Sequence, residues 1–215
     1  IDAAEAPMAP RIISYLKAQG VSELTWLVAT HPHADHIGGM VDVMKAFPVK
    51  DVYMPRTSHT TQTYENLLQA VKNRGLGITE ARAGRSIIEA SNLRTYFMAP
   101  TTLRYENLND WSAVIKLEYG DISFMFAGDA EEESQGEMML SSARWPRSTV
   151  LKVPQHGSSS TTEQFVSAVA PKYAVISVGA GNSYGHPSAQ ALARLAAAKA
   201  TVYRTDIHGT IVFTS

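Results

Sequence analysis

Hydrophobic positions along this chain switch repeatedly between two spacings. Between residues 10 and 20 they fall at Ile12, Ile13 and Leu16, the rhythm of an amphipathic helix, which Gly20 closes. Residues 24–29 then form a short, nearly continuous apolar run that predicts a buried strand. The alternation continues with a helix over 40–47, a strand over 51–54 stopped by Pro55, an amphipathic helix over 61–74 ended by Gly75, and strands at 87–90 and 93–99. After a loop at 101–110, residues 112–119 and 122–127 read as a hairpin turned at Gly120-Asp121. Helices follow at 131–141, 161–169 and 188–199, and strands at 149–153, 173–178, 201–204 and 210–214. Trp26, Trp111 and Trp145 fit core or edge packing, and the alanines around Leu195 fit close helix–sheet contact. Hairpins mixed with crossover helices predict sheets flanked by helices, in a single domain over 1–215.

Composition narrows the function classes. A net charge of −1 removes a global basic field for nucleic acid, although a small phosphate-containing substrate or a local basic groove stays compatible. The chain has no cysteine, which excludes disulfides, thiolate metal sites and cysteine nucleophiles together. That absence also favours an extracytoplasmic setting over a cytoplasmic one. No apolar run reaches the length of a membrane span. The first residue is Ile rather than Met, so a processed or trimmed N-terminus is expected.

The densest chemistry lies in Thr30-His31-Pro32-His33-Ala34-Asp35-His36, where three of the seven histidines and a carboxylate follow the predicted strand at 24–29. Ligands at a strand end, held by a tight turn before Gly38-Gly39, can converge on one point. Three further strands end in polar groups that suit a cation. Phe126-Ala127-Gly128-Asp129 delivers a carboxylate, which a helix-capping role would equally explain. Lys152-Val153-Pro154-Gln155-His156-Gly157-Ser158 delivers a histidine beside a serine-rich turn. Asn182-Ser183-Tyr184-Gly185-His186-Pro187 follows the strand at 173–178. An imidazole and carboxylate set suits Zn²⁺ first, and Mn²⁺ or Fe²⁺ as well.

These stretches, in this order, resemble the metallo-β-lactamase superfamily. Within it they are most similar to the hydrolase domain of ComEC-type competence (DNA-uptake) proteins and their stand-alone relatives. Ile176-Ser177-Val178-Gly179 and Tyr203-Arg204-Thr205-Asp206 extend the match over nearly the whole chain. The resemblance implies an α/β fold, an αββα sandwich of two mixed β-sheets flanked by helices, with its N-terminal strands incomplete here. It implies two divalent metal ions, with His31 and His33 on one, Asp35 and His36 on the other, Asp129 bridging and His156 a further ligand. His186 matches a family position near the site. The chain departs from the pattern where relatives carry His-His-Gly and it has Gln155-His156-Gly157. An amide cannot exchange a proton as imidazole does. The only histidine between the two main metal motifs is His59, which reads as part of a loop before a helix.

The expected activity is hydrolysis of a phosphodiester, in nucleic acid or a small molecule, by a metal-bound hydroxide, with Asp35 as the catalytic carboxylate. Lys152, Ser158, Tyr184 and His186 are the expected substrate contacts, with a solvated lysine and serine helix caps as the plain alternatives. Lactone, thioester or β-lactam hydrolysis would use the same site. A metal-stabilised domain without catalysis is the reading from another class. His208 is expected at a hairpin turn, away from the site.

Overall fold

The computed structural model describes residues 1–141 and 146–214, and Trp145 lies outside them. The chain divides into two compact units, Ile1–Ala81 and Arg82–Ser215. Among the described residues no helix is long and apolar enough to cross a membrane.

In the first unit, α1 (Ala9–Ala18) precedes β1 (Leu24–Val28), and β1 leads through a turn into α2 (Ala34–Ile37) and α3 (Met40–Ala46). Strand β2 (Val49–Met54), helix α4 (Gln62–Asn73) and strand β3 (Ile78–Glu80) complete it. The sheet order is β1-β2-β3, and both pairings are parallel, as strand–helix–strand crossovers require. Leu27, Ile37, Met40, Met44, Leu67 and Val71 form the core, with Ile12, Ile13 and Leu16 of α1 packed against it. The helical face read from the sequence is therefore the face that packs. Strand β3 was not foreseen, because three residues are too few for alternation to register.

The second unit holds a seven-stranded sheet in the order β10-β9-β8-β7-β6-β5-β4. Strands β4 (Ser86–Glu89), β5 (Leu93–Ala99), β6 (Val114–Tyr119) and β7 (Ile122–Phe126) form an antiparallel meander. Strands β7, β8 (Val150–Lys152), β9 (Tyr173–Ile176) and β10 (Thr201–Arg204) are parallel. The crossovers carry α5 (Glu132–Ser141), α6 (Glu163–Val169) and α7 (Ala189–Ala197). Met125, Leu151, Ala174 and Ile176 share a core cluster with Met138, Phe165, Val169 and Leu195 from these helices. Thr162 and Ser188 cap α6 and α7 through their hydroxyls, as the Ser/Thr positions before each apolar run suggest. Trp111 is buried and donates its indole N–H to the Tyr105 carbonyl.

Three expectations are corrected. Only the second sheet is mixed; the first is wholly parallel among the described residues. Residues 210–214 form no strand, because β10 ends the sheet order and no strand among the described residues pairs beyond it. Phe213 instead sets its ring against Phe124, Tyr173 and Tyr203. His208 lies in a short helix, α8 (Thr205–His208), rather than at a hairpin turn.

Candidate metal centre

In the first unit the histidine motif occupies the turn after β1 and the single turn of α2. Two backbone facts hold it there. Residues 2–6 lie across the glycine pair: a Cβ on Gly39 would stand 2.2 Å from the Ala3 carbonyl oxygen, and one on Gly38 2.7 Å from the Ala6 nitrogen. Asp2 and Ala4 adopt left-handed φ of 53° each, with Asp2 N–H on Val28 O and Ala3 N–H on His36 O. Such strain in non-glycine residues persists only where surrounding contacts hold it.

The result is a carboxylate beneath the histidines. Asp2 Oδ1 accepts from Thr30 N at 2.9 Å, and Oδ2 accepts from Thr30 Oγ1 at 2.8 Å and His36 Nδ1 at 2.8 Å. A carboxylate in this role can only accept, so His36 carries its proton on Nδ1. Thr30 gives its one hydroxyl proton to Asp2, so the 3.1 Å contact with His31 Nδ1 is a donation from His31. Both rings are thereby fixed with Nε2 as the basic nitrogen, the one then able to meet a metal. His31 and His36 are buried, while Asp35 is exposed with Oδ2 3.5 Å from His36 Nε2. His31 Nε2 and His33 Nδ1 stand 3.0 Å apart. Two ligand nitrogens on one tetrahedral zinc stand roughly 3.3 Å apart, so this pair suits one cation. His59 packs its ring 6.0 Å from His33 and engages Thr61 Oγ1 through Nδ1 at 2.8 Å. Burial works against an ionised Asp2, but the His36 bond and charge, with Thr30 and His31, hold its carboxyl below the usual carboxylate value.

In the second unit, Asp129 follows β7 at a turn that Gly128 makes with φ 54°. The Asp129 side chain is buried, and its N–H donates to Ser112 Oγ at 2.9 Å. Lys152 Nζ donates to Gly128 O at 2.7 Å and lies 3.5 Å from Asp129 Oδ1. His156 Nδ1 donates to Ser177 O at 2.7 Å, so its Nε2 is again the basic nitrogen; it stands 3.3 Å from Asp129 Oδ2. Gln155 and His156 both adopt left-handed backbone, with φ 42° and 53°. A polar brace holds that strained turn. Gln155 Nε2 donates to Glu131 Oε1 at 2.5 Å, where Asn109 Nδ2 also donates, and Gln155 Oε1 accepts from the Ser158 and Ser160 hydroxyls.

Each expected residue thus has a place. His31, His33, Asp35 and His36 gather in the first unit, with His59 beside them. Asp129, Lys152 and His156 gather in the second. Ser158 is buried and engaged with Gln155 and Ser160, while Tyr184 is exposed. His186 has a half-buried ring whose Nδ1 meets no hydrogen-bond partner among the described residues. Burial pushes its imidazole pKa down, as does the charge of His156, against the pull of Asp129. The sequence motifs include Thr30 and Asp2 but assign neither of these supporting groups a role. Their one signal was position: a threonine immediately before the motif, and an aspartate between Ile1 and Ala3.

The family profile described as "Metallo-beta-lactamase superfamily" matches residues 1–180. The chain is 34% identical over 203 residues to the ComE operon protein 3 of Bacillus subtilis, covering 94% of this chain and 26% of that protein. It is 27% identical to the competence protein ComA of Neisseria gonorrhoeae, covering 94% of this chain and 27% of that one. The chain therefore spans about a quarter of the length of these relatives. Among solved structures, the metallo-β-lactamase fold protein YhfI of Bacillus subtilis aligns with a TM-score of 0.57 at 10% identity, over 94% of this chain and 81% of that one.

Proposed function

The chain belongs to the metallo-β-lactamase superfamily, and from that premise we propose that residues 1–215 act as one hydrolase domain that uses two divalent metal ions to cleave a phosphodiester. One observation carries this reading: His31, His36 and His156 each have Nδ1–H taken by an oxygen acceptor, which leaves Nε2 basic for a cation. A bond from the far ring nitrogen to an oxygen acceptor fixes the ring tautomer in metal-ligating histidines generally. The donor set fits hard or borderline divalent ions, zinc first, with manganese and iron suited to the same groups.

In this reading His31 and His33 would hold one ion and Asp35 and His36 the other, with Asp129 available to both and His156 as a further ligand. When bound, such a pair acts as Lewis acid and brings the pKa of water to near 7. The protein's own residues supply the rest. Asp35, an exposed carboxylate, orients the attacking water and accepts its proton. Lys152 neutralises charge beside Asp129, and its ammonium faces anionic oxygens of substrate. The Ser158 turn shapes the floor of that subsite, and Tyr184 and His186 contact the substrate. The resemblance to ComEC-type DNA-uptake proteins, together with a relative named competence protein ComA, favours a nucleic-acid phosphodiester and a setting at the cell envelope.

A second reading, a metal-stabilised domain without turnover, draws on Gln155. Its amide is committed to Glu131 and two serines and exchanges no proton. Elemental analysis of the purified protein followed by a substrate panel separates the readings. About two ions per chain with turnover of bis-p-nitrophenyl phosphate is the expected result. Turnover of lactones or β-lactams alone replaces the phosphodiester assignment. Bound metal without any turnover selects the second reading.

A further inference from the structure

The loop after β9 has a composition that resists order. Gly179, Gly181 and Gly185 fall within seven residues, and Gly181 and Gly185 sit at φ 66° and 71°. Glycine loses more backbone entropy on ordering than any other residue, so such a loop needs a specific tether. Asn182 provides it. Its Oδ1 accepts from Tyr184 N at 3.2 Å and His186 N at 3.1 Å, and its Nδ2 donates to Gly179 O at 3.1 Å and His186 O at 2.7 Å. One carboxamide therefore holds both peptide groups of His186. Only an amide serves, because a carboxylate has no donor for the two carbonyls.

The tethered loop is stitched to the His156 turn at both ends. Ser177 O accepts from His156 Nδ1 at 2.7 Å, and Ser188 N donates to Gly157 O at 2.8 Å. Pro187 packs so closely there that a Cβ on Gly157 would stand 2.9 Å from its Cβ. Tyr184, 80% exposed, lies nearly parallel to the His186 ring, at 6.0 Å and 19°. Moving the His186 backbone would move both rings against the turn that carries His156.

We propose that Asn182 is a positioning residue that presents the Tyr184–His186 ring pair to substrate beside His156. The inference rests on the phosphodiesterase reading for what the pair contacts, and on the hydrogen bonds alone for how it is held. The test uses the full chain with Asn182→Ala, Asn182→Asp, His186→Ala and the double variant Asn182→Ala/His186→Ala. Amide hydrogen exchange, metal content and the kcat and KM for bis-p-nitrophenyl phosphate are measured on each. In Asn182→Ala the Tyr184 and His186 amides should exchange about tenfold faster or more, with other amides and metal content unchanged. KM should rise about tenfold with kcat within about twofold, the worth of one or two net hydrogen bonds. In the His186→Ala background the same change should add no more than about twofold, since Asn182 then has little left to act through. Asn182→Asp should behave as Asn182→Ala. Unchanged exchange at Tyr184 and His186 overturns the tether. A KM penalty undiminished in the His186→Ala background overturns action through His186. A parent chain without turnover sinks the phosphodiesterase reading, and the exchange measurement then decides the tether by itself.

Discussion

Replacing Asp2 with asparagine changes one atom and should reverse a chain of protons. In the parent, Asp2 accepts three hydrogen bonds, from Thr30 N, Thr30 Oγ1 and His36 Nδ1. Asparagine keeps an oxygen for Thr30 N but turns an NH₂ toward the other two donors. His36 can then meet it only by moving its proton to Nε2, the nitrogen proposed to bind metal. Each hydrogen bond to a charged group is worth about 1.5–3 kcal/mol. Two give up that charge and become neutral bonds of reversed direction, and the Asp2 side chain keeps 19% of its surface in water, which softens the loss. A fall of about 2–4 kcal/mol in metal-free stability follows, or roughly 5–12 °C in Tm for a chain of this size. Zinc affinity should fall about 10- to 100-fold, the usual effect of removing a partner behind a ligand histidine. Urea unfolding of the metal-free protein, chelator competition for zinc and the imidazole ¹⁵N shifts of His36 read the three effects. The Asp2 carboxyl is held below its ordinary value, so its contribution is complete above about pH 4 and is lost as pH falls through the folded value. The part of the difference between parent and variant that the Asp2 carboxyl contributes should therefore shrink as pH falls through that value. Zinc affinity within twofold of the parent, with His36 still protonated on Nδ1, would refute the reasoning.

Gly39→Ala should cost about 2–4 kcal/mol in a denaturant midpoint, because its Cβ would stand 2.2 Å from the Ala3 oxygen; its φ of −82° is ordinary, so the cost is steric. Asp110 is buried and accepts from the N–H groups of Glu131 and Ser134 at the start of α5, so Asp110→Ala should lose about 1–2 kcal/mol. Burial raises its carboxyl pKa, so ionisation opposes folding and the stability it brings is lost as pH rises through the folded value. Asp110→Asn should accordingly match or exceed the parent in thermal melts at pH 7 and lose that advantage below about pH 4. Dialysis against a chelator should lower Tm, and zinc should restore it in a concentration-dependent way, since a ligand that binds only the folded chain stabilises it by mass action. A melt indifferent to both steps would count against a built metal site.

Much of the secondary structure was legible because long periodic segments carry their own signal. The helices α1, α4 and α7 and the β6–β7 hairpin lie within one or two residues of the bounds that apolar spacing and turn residues suggest. The failures are physical. Strand β3 is too short to alternate. Residues 210–214 have the composition of a strand but no partner strand among the described residues, and β structure exists only in pairs. The histidine motif was legible as a cluster because its ligands lie within six residues. Its support was not, because Asp2 is 34 positions from His36 and Ser177 is 21 from His156.

By itself the sequence determined which side chains are present to bind a cation and which segments end in them, since ligand type and local periodicity are properties of neighbouring residues. Tertiary structure alone decided which nitrogen of His31, His36 and His156 is basic. A tautomer is set by the acceptor that meets the other nitrogen. For these rings the acceptors are Thr30, held by Asp2, then Asp2 itself, and the Ser177 carbonyl. It also decided the place of Gln155, which reads in sequence as a lost imidazole and in the fold as the brace of a strained turn. Hydrogen-bond partners distant in sequence become neighbours only when the chain closes, and spacing cannot record them.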